Sequence, residues 1–199
     1  MQTNSGNLAL SVTTRAGFMR GFEANTSRRA FCVGGAALVG TAVLPEAGWC
    51  RIDERRLKLR HLHTDERLDV VYHAGGRYVP AALLQIDHFM RDWREERAIK
   101  MDHRVLDFIF AVQLQVGALG ECEILCGYRT PETNALLRRR SSGVAKRSYH
   151  MFGRAVDLNL PQARLRRVRD TALDLGRGGV GYYPRSHFIH LDSGDVRTW

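Results

Sequence analysis

The residues best suited to chemistry in this chain sit in Ser148-Tyr149-His150-Met151-Phe152-Gly153-Arg154-Ala155-Val156-Asp157, taken together with His190. A histidine, an aspartate seven positions on and a late histidine supply two imidazole nitrogens and a carboxylate. That donor set suits Zn2+, which in catalytic sites takes three protein ligands and keeps a position for water. Spacing alone leaves a plainer reading open. A histidine in a chain that has eight usually sits on the surface or satisfied in a core, and an aspartate can simply end a strand.

Two strands and a turn have to bring these groups together. Gly153 lets the chain turn after His150, and from Arg154 to Leu160 apolar and polar residues alternate. With a side-chain period of two, Ala155, Asp157 and Asn159 share one strand face. Phe188-Ile189-His190-Leu191-Asp192 has the same period and puts His190 and Asp192 on one face. If the two strands are neighbours, His150, Asp157 and His190 meet.

The pattern Ser148-x-His150-x-x-Gly153-x-Ala155-x-Asp157, then Gly178-Gly179-Val180-Gly181-Tyr182-Tyr183-Pro184 and His190-x-Asp192, resembles the zinc D-Ala-D-Ala metallopeptidases and, within them, their murein endopeptidase branch. The likeness runs from about Arg56 to Trp199. It implies His150, Asp157 and His190 as zinc ligands and hydrolysis of peptide crosslinks in peptidoglycan, with peptide stems as the partner. It also implies that Arg129, in the turn Gly127-Tyr128-Arg129, holds a substrate carboxylate. Guanidinium grips carboxylate with a two-pronged fork that lysine lacks. Ser148 is the expected hydrogen-bonding neighbour. A turn of this kind after a buried strand is expected to expose Arg129. Relatives take their general base from a Glu three residues before the last zinc histidine or a His two before it; here those positions are His187 and Phe188. His187 and Asp192 are the available replacements, with Asp192 preferred. Asp192 could equally fix the tautomer of a ligand imidazole.

The composition fits one globular domain: 199 residues, 44% hydrophobic, 26% charged, net charge +9. The positive charge suits an anionic polymer. Nucleic acid ranks last, because no nucleic-acid motif is present and an export signal precedes the domain. Residues 1–50 read as an extension and a twin-arginine signal: Ser27-Arg28-Arg29-Ala30-Phe31 leads into an apolar run ending at Leu44, too short for a settled membrane span. Export to the periplasm by the twin-arginine route follows, with cleavage after Ala47 or an uncleaved N-terminal anchor both open. No stable span is expected in the mature form.

Residues 51–199 are the expected metallopeptidase domain. Arg56–His63 and Arg67–His73 alternate around a turn and read as a hairpin. Its His61 and His63 share one face that reads as mixed and solvated, so they are structural residues. Pro80 starts a helix running to about Arg97. A second helix starts near its N-cap Asp102 and stops at Gly117. Glu123–Arg129 is a strand and turn, and Thr130-Pro131 opens a helix to Arg140. Cys122 and Cys126, too far apart along a strand for a disulfide, read as small core residues. The cluster Arg138, Arg139, Arg140, Lys146 and Arg147 flanks the presumed cleft. Pro161–Leu175 is a basic amphipathic helix, and Gly176–Gly181 a flexible, glycine-rich lead into Tyr182-Tyr183-Pro184, ahead of the final strand that delivers His190. The fold class is α+β: a small, mostly antiparallel sheet carrying the zinc site, helices on one side, and an N-terminal hairpin. A zinc peptidase is the leading function, the alternatives being an idle module of the same fold that binds wall peptide or a protein, and a metal-free binder of polyanions.

Overall fold

The computed structural model describes residues 54–199 apart from Ser142. The twin-arginine segment, the cleavage position and the possible anchor all lie outside the described residues. Among the described residues no helix is long and apolar enough to cross a membrane.

The elements in chain order are β1 (Glu54–His61), β2 (Arg67–Ala74), β3 (Arg77–Tyr78), α1 (Pro80–Phe89), α2 (His103–Val116), β4 (Cys122–Cys126), α3 (Pro131–Arg140), β5 (Ala155–Asn159), α4 (Leu165–Leu175), β6 (Gly179–Tyr183), β7 (Phe188–Asp192) and β8 (Arg197–Thr198). The strands form one sheet of eight in the order β3-β2-β1-β4-β5-β7-β6-β8. The α+β class holds, but the sheet is not small: it has eight strands, and five of its seven pairings are antiparallel and two parallel. It is mixed, because β1 pairs parallel with β4 and β6 pairs parallel with β8. The long excursion through α1 and α2 allows the first of these: a parallel neighbour needs a crossover, which no hairpin can supply.

On one face of the sheet Val156, Leu158, Val180, Ile189 and Leu191 join a continuous core with Val105, Leu106, Phe108, Ile109 and Val112 of α2 and Val168 and Ala172 of α4. Each large apolar side chain buried in this way contributes roughly 1.5–3 kcal/mol. α2 packs against α4, and both lie against β7. Its ends follow from its sequence: Asp102 accepts a hydrogen bond from the Arg104 amide, and Gly117 takes the left-handed conformation that ends the helix. The opposite face of the central strands carries Asp157, His190 and Asp192.

Four local expectations are corrected. α1 ends at Phe89 rather than near Arg97, because the residues beyond it are claimed elsewhere. The Met90 carbonyl accepts the Tyr128 amide at 2.7 Å, and the Asp92 carboxylate accepts both the amide and the hydroxyl of Thr130. The end of α1 thus anchors the turn that carries Arg129. His61 is 1% exposed, not solvated; it lies edge-on to Phe89, while His63 stacks on Trp93. From Gly179 the glycine-rich lead is already strand β6, inserted between β7 and β8. α4 begins at Leu165, four residues later than Pro161 suggested.

Candidate metal centre

β5 and β7 are adjacent and antiparallel, and their register sets Asp157 directly opposite His190. Across β7, His190 faces Gly181 of β6. Across β5, Asp157 faces Cys126 of β4. The result is a row over four strands on the face away from the helical core: Cys126, Asp157, His190, Gly181. His150 enters above this row from a 3₁₀ turn, Tyr149–Phe152. Gly153 ends that turn at φ +63°, where a side chain would also meet the Lys100 carbonyl 2.5 Å away.

Three donor atoms converge. His190 Nδ1 is 2.8 Å from Asp157 Oδ1 and 3.1 Å from His150 Nε2, and His150 Nε2 is 3.3 Å from Asp157 Oδ1. All three residues are buried. The outer hydrogen bonds settle which ring nitrogens face the corner. His150 Nδ1 lies 2.7 Å from the Gly127 carbonyl, which can only accept, so Nδ1 carries a proton and Nε2 is the ring nitrogen that faces the corner. The Arg129 amide donates in return to the His150 carbonyl at 3.2 Å, locking the two turns together. His190 Nε2 lies 3.1 Å from Asp192 Oδ2, which leaves Nδ1 free to face inward. Two inward ring nitrogens and a carboxylate oxygen fit a zinc-type cation, with the outer partners that metal-binding imidazoles ordinarily have.

The charges agree. Burial works against ionisation of His150, but the adjoining Asp157 carboxylate outweighs it and lifts the imidazole to about 10. Burial likewise opposes ionisation of Asp157, yet the two imidazoles hold it well below the usual carboxylate range. The corner is an electrostatically paired site in which a cation can replace the His150 proton.

Asp192 is fully buried behind His190. Burial would raise its carboxyl, but His190, Arg197 and the Gly194 amide together hold it far below the ordinary range. Arg197 Nη2 reaches Oδ2 at 2.6 Å, and the amides of Gly179 and Gly194 donate to Oδ1 at 3.2 and 2.8 Å. A Cβ on Gly179 would collide with the same carboxylate, which explains that glycine. His187 stands exposed at a left-handed backbone position, φ +54°, after the turn Pro184–Ser186, and takes no part in the cleft wall.

Outside the corner lies a cleft of about 360 Å³ whose walls include Arg129, Arg147, Ser148, Tyr183, Phe188 and Trp199. Arg129 is buried rather than exposed: Nη2 is 3.7 Å from Asp157 Oδ2 and 3.5 Å from Cys126 Sγ, and Nη1 is 3.4 Å from Asn134 Oδ1. Ser148, also buried, immediately precedes the histidine turn, and its hydroxyl is not used as a cap. Trp199 covers the bare backbone of Gly181, its ring 5.2 Å from that of His190 and its Nε1 donating to the Tyr183 hydroxyl at 2.7 Å.

One residue of the corner, Cys126, escapes the strand pattern. Alternation puts it on the core face with Cys122 and Ile124, but the β4–β5 register slips between Ile124 and Cys126. This bulge turns Cys126 toward Asp157, and ligand atoms of Cys126, His150 and Asp157 all lie within 4.8 Å of one another.

A family model described as peptidoglycan L,D-endopeptidase MepK matches residues 50–199. The chain belongs to that family. Its members are M15 metallopeptidases, so the resemblance read from the His-Gly-Asp and His-x-Asp motifs is correct. Among relatives, the probable peptidoglycan L,D-endopeptidase MepK of Haemophilus influenzae is 40% identical over 176 residues, 86% of this chain and 94% of its own. The peptidoglycan L,D-endopeptidase MepK of Escherichia coli K12 is 38% identical over 181 residues, 89% of this chain and 98% of its own. No solved structure matches.

Proposed function

We propose that this protein is a metal-dependent peptidoglycan endopeptidase using Zn2+, held by His150 Nε2, Asp157 Oδ1 and His190 Nδ1. The observation that carries the reading is the convergence of these three atoms within 3.3 Å, with both outer imidazole nitrogens already engaged. A bound zinc supplies an activated water near neutral pH and polarises the scissile carbonyl.

The chain's own residues do the rest. Gly127 O and Asp192 keep the ligand lone pairs of His150 and His190 aimed inward. Asp192 is a positioning residue in this reading, since its oxygens are taken by His190, Arg197 and two backbone amides and it lies behind the imidazole rather than in the cleft. Arg129, held by Asn134 on one side and Asp157 on the other, presents a fixed cation at the cleft floor for a carboxylate or the developing oxyanion of the substrate. The Ser148 hydroxyl adds a hydrogen bond from the wall beside it. Tyr183, Phe188 and Trp199 form an apolar flank that keeps water from the peptide.

The substrate is the peptide crosslink of peptidoglycan. The name carried by the relatives points to bonds between an L- and a D-configured centre, which suits a link between two diaminopimelate residues. Export by the twin-arginine segment would bring the enzyme to the periplasm, where that polymer lies. Digestion of purified peptidoglycan by zinc-loaded protein, with products resolved by mass, tests the reading. Conversion of L,D-crosslinked dimers to monomers, stopped by a chelator and restored by zinc, is expected. Intact dimers under the loaded enzyme refute it.

A further inference from the structure

We infer that Cys126 supplies a sulfur donor to this metal centre, alongside the two histidines and Asp157. The inference rests on the zinc-site reading and extends it. It stands on placement. A bulge in β4 after Ile124 takes Cys126 off the core face, where strand alternation would leave it, and sets it opposite Asp157. Bulges beside functional sites commonly re-aim a side chain in this way. The sulfur and ligand atoms of His150 and Asp157 lie within 4.8 Å of one another. The thiol is free, and unlike the fully buried Cys122 it is only half-buried, facing the corner rather than the core.

Charge balance gives the sulfur a task. Arg129 Nη2 lies 3.7 Å from Asp157 Oδ2, so the only carboxylate among the three donors is already shared with a buried cation. A divalent ion added to His150, Asp157 and His190 would leave two net positive charges in a corner largely closed to solvent, where uncompensated charge is costly. A thiolate halves that excess, and metal binding itself removes the thiol proton. The soft donor also biases the centre toward zinc over the harder, oxygen-seeking divalent ions. Catalytic zinc can expand to five ligands, so a sulfur donor leaves room for water.

The test is cobalt substitution in the full chain, read by absorption. Co2+ in the wild-type site should show visible ligand-field bands together with a near-ultraviolet sulfur-to-cobalt charge-transfer band. Cys126→Ser should lose the ultraviolet band and keep the visible ones; Cys122→Ser should keep both. Visible bands without a charge-transfer band in the wild type, or a band that survives Cys126→Ser, overturn the sulfur donor and leave the three-ligand site standing. Absence of any cobalt spectrum in the wild type overturns both.

Discussion

His190 turns its Nε2 onto Asp192 Oδ2 at 3.1 Å, while its Nδ1 faces Asp157 Oδ1 at 2.8 Å. One imidazole is thus clamped between a carboxylate in the cleft corner and a carboxylate buried behind it. The two have different tasks, and substitution separates them.

Asp192→Asn should weaken zinc binding by about 10–100-fold, the usual cost of losing an outer-sphere partner. Hydrolysis should return to the wild-type kcat when zinc is raised to saturation. Were Asp192 the general base, kcat at saturating zinc would stay down by roughly 10²–10⁴. Titration of zinc against activity distinguishes the two.

His190→Ala removes a donor from the corner, so both zinc content and crosslink hydrolysis should disappear. His187→Ala should leave both intact, because that side chain is exposed and off the cleft wall. Metal analysis of the two purified variants is the check; normal zinc in His190→Ala would refute the ligand set.

Asp102 ties the start of α2 to the site: Ser193 Oγ donates to Oδ2 at 2.7 Å, and the Asp102 amide donates to the Gly153 carbonyl at 2.8 Å. Burial would raise its carboxyl, but Arg104 and Ser193 hold it down at about 2. A folded value below the unfolded one means that the contribution is complete above about pH 4 and is lost as pH falls toward 2. Its size is on the order of 2 kcal/mol. Urea unfolding of wild type and Asp102→Asn should therefore differ at pH 5 and converge near pH 2. A gap that is constant across this range would contradict the assignment.

Gly153→Ala places a side chain at φ +63° and against the Lys100 carbonyl. The backbone strain alone costs on the order of 1–3 kcal/mol. A lowered unfolding midpoint together with weaker zinc binding is expected, since the same turn sets His150. An unchanged midpoint would show that the turn does not need glycine.

Much of the site could be read locally. Period-two alternation assigns Asp157 and His190 to strand faces, Gly153 marks the turn after His150, and Asp102, Gly117 and Thr130-Pro131 mark helix ends, because each depends on backbone preferences within a few residues. What could not be read depends on distant partners. The course of residues 90–97 is set by Tyr128 and Thr130, which capture Met90 O and Asp92. β6 looks like a loose linker until Asp192 and Trp199 press on Gly179 and Gly181, and the parallel β1–β4 pairing exists only because a helical crossover intervenes. Cys126 is the sharpest case: one extra residue in β4, visible only against the β5 register, moves it from the core to the corner of His150 and Asp157. Local pattern determines which way a side chain points along its own strand; the hydrogen bonds between strands decide what it meets.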